Sequence, residues 1–197
     1  MPDAGRVIAG TARSIRLDAP GAGTRPFGDR VKQTLFAVLQ SDLPGARFLD
    51  LFAGSGAAGI EALSRGAAHA TFVERDATAA RVIVGNLART HLGGPERVTV
   101  VREDVLAWLR DPARAKEQAW DLVVLDPPYA ETAAMTGALT AVGALLAPDG
   151  RVVAKHFWRD APPATVGLLA SERVRRFGET ALTFYRRAPA AATTEGA

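Results

Sequence analysis

Between Arg47 and Lys155 the chain alternates short, unbroken apolar runs with longer stretches of helical character. The runs Phe48–Phe52, Ala70–Glu74, Val98–Arg102, Leu122–Leu125 and Arg151–Lys155 lack the polar alternation of a half-exposed strand. Each therefore reads as a strand buried on both faces. Strands of this kind separated by helices predict an α/β fold, a Rossmann-like and mostly parallel sheet covered on both sides. Further on, Glu172–Phe177 and Ala181–Arg187 flank the turn-like Gly178-Glu179-Thr180, which predicts a closing antiparallel pair. Ahead of the sheet, Arg6–Gly10 and Arg13–Leu17 read as two short strands, followed by a Gly/Pro-rich connector from Pro20 to Pro26. Val31, Leu35, Phe36 and Leu39 then recur at i, i+4, i+5 and i+8, an amphipathic helix whose charged face carries Asp29, Arg30 and Lys32. The expected organisation is a hairpin-and-helix appendage over residues 1–40, a core over 41–187 and a disordered tail over 188–197.

The length of 197 residues suits one domain with a sizeable core, and 48% hydrophobic with 23% charged residues is the balance of an ordinary globule. Charges interrupt every apolar run before it could span a bilayer, and the N-terminus lacks the apolar stretch of a secretory signal. With no cysteine there is neither disulfide nor thiolate metal site, and the expected compartment is the cytoplasm. Net charge is only +3, but residues 1–33 hold six Arg/Lys against three Asp and residues 171–187 hold five Arg against two Glu. The centre, residues 34–170, holds 13 basic against 15 acidic. Basic ends around an acidic middle suit a polyanion gripped by the ends and a neutral or cationic ligand in between; solvated arginines that only aid solubility would give the same count.

Gly54-x-Gly56-x-x-Gly59 lies between a strand and a helix, and Glu74 closes the next strand 15 residues later. Absent side chains let the backbone Phe52-Ala53-Gly54-Ser55-Gly56 approach a ligand, and an acidic residue can take both ribose hydroxyls. The pattern says adenosine; a nicotinamide enzyme and a methyltransferase fit it about equally, as do glycines that only shape a turn. Asp50 separates the first two, because a carboxylate at the end of that strand can reach the cationic end of S-adenosylmethionine and would repel a pyrophosphate. Asp104, followed by Val105, could accept the adenine amino group, or cap the following helix, or both.

Asp126-Pro127-Pro128-Tyr129 supplies the second half of the chemistry. An exocyclic purine amine is a poor nucleophile, so its lone pair must be oriented and the positive charge that develops on nitrogen offset. Asp126 and the Pro127 carbonyl can each accept one N–H, the two prolines hold those acceptors still, and Tyr129 gives an unstacked base a surface. A strand-ending turn with a packed tyrosine is the structural alternative. His156 and Trp158 lie near the same expected edge, whereas Trp108, Trp120, His69 and His91 read as packing or loop residues, and three scattered histidines make no metal site.

At these segments the chain resembles the bacterial small-subunit (16S) ribosomal RNA guanine-N2 methyltransferases, the RsmD family. The resemblance runs from Arg6-Val7-Ile8-Ala9-Gly10 and Thr24-Arg25-Pro26, with Asp29-Arg30-Val31-Lys32, through Phe52–Ala57 and Gly59–Ala67. It continues in Asp126–Tyr129 and ends at Thr180–Tyr185. It implies a class I methyltransferase core of seven strands, with S-adenosylmethionine held by Asp50, Phe52–Gly56, Glu74, Arg75, Asp104 and Val105 and catalysis at Asp126–Tyr129 without metal. It also implies that the N-terminal hairpin and helix help bind 16S RNA, alone or within an assembling 30S subunit, and Arg6, Arg13, Arg16, Arg25, Arg30 and Lys32 are the expected contacts, on a chain expected to be a monomer. Two departures stand out: Phe27-Gly28 where the family usually has two threonines, and Lys32-Gln33 where it usually has arginine and glutamate. Adenine-N6 methylation of DNA and a non-catalytic RNA-binding assembly role are the rival functions; no insert large enough to read a duplex is present.

Overall fold

A computed structural model describes residues 2–21, 27–114 and 119–188. Two strands, β1 (Asp3–Arg6) and β2 (Arg16–Asp18), form an antiparallel pair, and helix α1 (Asp29–Val38) follows. The main sheet comprises β3 (Arg47–Leu51), β4 (His69–Val73), β5 (Val98–Val101), β6 (Trp120–Leu125), β7 (Leu146–Phe157), β8 (Thr165–Val166), β9 (Leu169–Phe177) and β10 (Thr180–Arg187). Helices α2 (Ala57–Ser64), α3 (Ala77–Thr90), α4 (Val105–Arg110) and α5 (Thr132–Val142) connect its parallel part.

Its order is β5-β4-β3-β6-β7-β10-β9-β8, with β5 to β7 parallel and β10 antiparallel to both neighbours. The class I methyltransferase arrangement expected from the sequence is present, with an eighth strand added: Thr165–Val166 pairs with Leu169–Ala170 at the edge. One face packs against α1, α2 and α3 through Leu35, Phe36, Ile60, Ile83 and Leu87; the other packs against α4 and α5 through Trp108, Met135 and Leu139. Both faces being covered explains why the inner parallel strands are mostly apolar, whereas the edge strand β5 is only partly buried and exposes Thr99.

The N-terminus departs from expectation. Residues 7–10 form no strand: the Ile8 and Ala9 N–H groups donate to the two carboxylate oxygens of Glu61 at 2.7 and 3.0 Å. Thr11 N–H donates to the Ser64 carbonyl at 2.9 Å. A buried carboxylate on α2 has taken the donors that a strand ladder would have used. Gly10, at φ 84°, makes the approach possible, since a Cβ there would stand 1.8 Å from the Ser64 oxygen. Ala4, Val7, Ala12 and Leu17 thereby join the same apolar cluster as Phe48 and Phe184. The connector segment 22–26 and the tail beyond residue 188 lie outside the described residues.

Register brings the site together. Leu51 sits opposite Val73 and Leu125, and Val73 opposite Val101, so four parallel strands end level. The segments that follow them, beginning at Phe52, Glu74, Arg102 and Asp126, therefore share one edge.

Candidate active site

The turn after β3 holds positive φ at Phe52 (60°), Gly54 (55°) and Gly56 (76°). Phe52 has a side chain, so its conformation is strained and held by its surroundings. The glycines have different jobs. The nearest atom to a Cβ built on Gly54 is the Phe52 carbonyl oxygen at 4.0 Å, so that position opens outward. On Gly56 it would press Ile83 at 3.2 Å, and on Gly59 it would strike the Phe72 ring at 2.3 Å. Gly56 and Gly59 therefore let α2 seat on β4 and its neighbours, and Gly56, one of the expected cofactor contacts, is buried away from the cleft.

That cleft, about 680 Å³, is lined by the other expected cofactor residues: Asp50, Phe52, Ala53, Gly54, Ser55, Glu74, Arg75, Asp104 and Val105. The glycine turn is tied to two of the carboxylates, with Gly54 N–H donating to Glu74 and Gly59 N–H to Asp50, both at 2.8 Å. Asp104 caps α4 by accepting from Leu106 and Ala107 at 3.0 Å, both through Oδ1. The capping role and a place in the cleft coexist, because Oδ2 takes no part in the cap. Asp50 is 2% exposed, and burial pushes its carboxyl well above the usual range, helped by the negative charges of Asp126 and Glu74.

At the far end stand Asp126, Pro127, Pro128 and Tyr129. Asp126 accepts from the Lys155 ammonium through both oxygens, at 2.6 and 2.8 Å. Burial raises its carboxyl and Lys155 opposes the rise. Lys155 is itself 5% exposed, and its Nζ lies 5.1 Å from the Phe27 ring and 5.4 Å from the Tyr129 ring. Tyr129 is fixed by a 2.7 Å hydrogen bond with Thr180. Sequence reasoning missed Lys155 as a site residue. The available signal was a basic residue ending the apolar run Val152-Val153-Ala154 at the edge that carries the cleft. Phe27, one of the departures from the family pattern, forms the aromatic wall facing this pair.

Charge around the cleft is one-sided. Among the described residues, five carboxylates line it, those of Asp50, Glu74, Asp76, Asp104 and Asp126, against two cations. Both cations are already paired, Lys155 with Asp126 and Arg75 with Glu131 at 2.7 Å. A ligand with a cationic centre fits this donor set; a pyrophosphate does not.

The expected RNA contacts scatter. Arg13 and Arg30 are exposed, Arg6 pairs with Asp29 at 3.2 Å, Arg16 pairs with Asp3, and Arg25 lies outside the described residues. Lys32 is a correction: it is completely buried, its ammonium donates to the Arg6 carbonyl, and burial lowers its pKa. It ties α1 to β1 and cannot meet a phosphate from that position. His156 also packs, 2.8 Å from Thr183 Oγ1, as do Trp108 and Trp120, each 2% exposed. No described helix is long and apolar enough to cross a membrane.

The family model described as conserved hypothetical protein 95 matches residues 5–186. A Bacillus subtilis protein named as an rRNA methyltransferase, YlbH, is 38% identical over 185 residues, 92% of this chain and 98% of its own length. Ribosomal RNA small subunit methyltransferase D of Haemophilus influenzae is 42% identical over 125 residues, 63% of either chain. Among solved structures, one described as the methyltransferase yhhF of Escherichia coli superposes with a TM-score of 0.79 at 28% identity, covering 92% of this chain and 97% of that one.

Proposed function

The chain belongs to the conserved hypothetical protein 95 family, the RsmD family, and from that premise we propose that it transfers a methyl group from S-adenosylmethionine to the exocyclic N2 of a guanine in small-subunit ribosomal RNA. The observation that carries the cofactor half is the acidic cleft, in which, among the described residues, five carboxylates face two cations that are both already paired. S-adenosylmethionine, when bound, supplies the methyl on a sulfonium. Asp50 would face its cationic end, Glu74 its ribose hydroxyls and Asp104 its adenine amine, with the Gly54 backbone passing alongside.

For the substrate half, burial raises the Asp126 carboxyl and the Lys155 ammonium against it opposes that rise, favouring the charged form. Each carboxylate oxygen has two lone-pair sites, so an amine N–H can join Lys155 on Asp126 without displacing it. The Pro127 carbonyl would take the second N–H, which aims the nitrogen lone pair away from both acceptors. As the nitrogen attacks, its growing positive charge meets an ionised Asp126; that interaction is stronger in the transition state than in the ground state and so speeds the reaction. Tyr129, held by Thr180, offers its ring to the base.

Asp126→Asn tests this reading, because the amide keeps an acceptor for Lys155 and loses the charge. Single-turnover transfer of labelled methyl to small-subunit ribosomal RNA is expected to slow, by less than the roughly 10²–10³-fold that losing a whole electrostatic partner costs. S-adenosylmethionine affinity is expected to hold. An unchanged transfer rate would contradict the role given to Asp126.

A further inference from the structure

β8 covers only Leu169 and Ala170 of β9, so Ser171–Phe177 has no strand on its outer side among the described residues. Along it, Arg173 stands opposite Phe184 and Arg175 opposite Leu182, and both partners belong to the apolar cluster under α1. The two arginines therefore rise on the α1 face, where they line an open groove with Gln33, Thr34, Ala37 and Arg151. Arg30 is exposed one turn earlier on the same helix. Among the described residues, no carboxylate lines this groove. Asp42 beside it is engaged by Arg151 at 2.9 Å, and Glu172 by Arg186 at 3.0 Å.

Resting on the RNA substrate read above, we propose that the groove between α1 and β9 binds the phosphate backbone of that RNA through Arg173 and Arg175, with Arg30 nearby on α1. Charges on an exposed strand can serve merely to prevent edge-to-edge pairing. That explanation accounts for β9 alone, whereas here the exposed Arg30 of α1 stands on the same side as the β9 arginines. Position supports the proposal as well. Helix α1 begins directly after Gly28, and Phe27 before it lines the catalytic cleft, so one helix joins the two sites. A strand lying in the groove would lead its bases toward Tyr129, and the phosphate contacts would position it without reading sequence.

The test compares the parent protein with Arg173→Ala/Arg175→Ala, measuring binding of deproteinised small-subunit ribosomal RNA across a salt series. Losing two phosphate contacts is expected to reduce the slope of log affinity against log salt by about 1.4–1.8. At about 0.1 M salt that is roughly 25- to 60-fold weaker binding if the two proteins converge near 1 M. Arg173→Lys/Arg175→Lys should restore the slope, since charge rather than shape is at issue, and S-adenosylmethionine affinity should not move in either variant. A double alanine variant with the parent's slope overturns the inference and leaves the proposed activity standing, as does loss of RNA binding that the lysine variant fails to restore. A parent protein that neither binds nor methylates the RNA overturns both.

Discussion

Asp50 sits in the sheet with 2% of its surface exposed and its carboxyl raised by burial, so the ligand-free protein bears the cost of a buried acid. Above pH 3.8, the ordinary value, the unfolded chain has released this proton while the native state still holds it. Stability of the ligand-free protein therefore falls as pH rises from there toward the raised native value. Asp50→Asn is expected to flatten that fall and to stabilise the free protein at neutral pH, while S-adenosylmethionine affinity drops. Urea unfolding across pH, with calorimetry of the cofactor, checks both; an unaltered pH slope would contradict the assignment. Lys155 poses the opposite problem, a cation and an anion that depend on one another. Removing one member of a buried pair typically costs about 3–5 kcal/mol because the other is left uncompensated. Lys155→Met should therefore destabilise toward the lower end of that range, since the Asp126 side chain retains 20% exposure. Adding Asp126→Asn should recover most of that loss and none of the activity. Unfolding curves of the single and double variants decide it, and a Lys155→Met protein as stable as the parent would mean the pair is not a unit. The same reasoning disfavours Asp126→Ala as a clean probe, because it would strand Lys155.

At the scale of elements, α2 does more than follow the glycine turn. Glu61 is fully buried, takes the N–H groups of Ile8 and Ala9, and pairs with Arg65 at 2.7 Å. Glu61→Ala leaves two backbone donors and a nearly buried guanidinium without that partner, a loss of about 3 kcal/mol or more. Limited proteolysis should then cut the first twenty residues before the core unfolds; uniform resistance would show that the apolar contacts of Val7 and Leu17 hold the segment alone. This anchoring also explains what the sequence conceals. The inner parallel strands were legible because burial on both faces leaves its mark in each run, edge strand β5 because it is rich in valine, and the β9–β10 pair because a glycine turn separates its members. Residues 7–10 read as a strand because their true partner is more than fifty residues away. Lys32 fits the charged face of α1 by periodicity, yet β1 folds back over it. Lys155 looked like a strand end until the fold set it on Asp126, and Thr165–Val166 is too short to carry a pattern.

The molecule as a whole separates two charges. An acidic cleft lies at the carboxyl edge of the parallel strands, and a basic groove runs between α1 and β9, although the net charge is only +3. A cationic cofactor and a polyanion could thus be held within one fold without competing for the same field. Of the basic ends noted in the sequence, the C-terminal one supplies Arg173 and Arg175 to the groove, and Arg30 of α1 is exposed one turn from it. The remaining N-terminal arginines with described partners, Arg6 and Arg16, are engaged by Asp29 and Asp3. What joins cleft to groove is helix α1, with Phe27 just ahead of it facing the loop Asp126–Tyr129 across the cleft, where the methyl would pass. The most direct measurement is the identity of the methylated nucleoside. Unmodified small-subunit ribosomal RNA is incubated with the protein and S-adenosylmethionine carrying a labelled methyl, digested to nucleosides and resolved by mass spectrometry. Label in N2-methylguanosine alone is the predicted result; label in N6-methyladenosine, or none in the presence of measured cofactor binding, would contradict the guanine-N2 activity proposed for this chain.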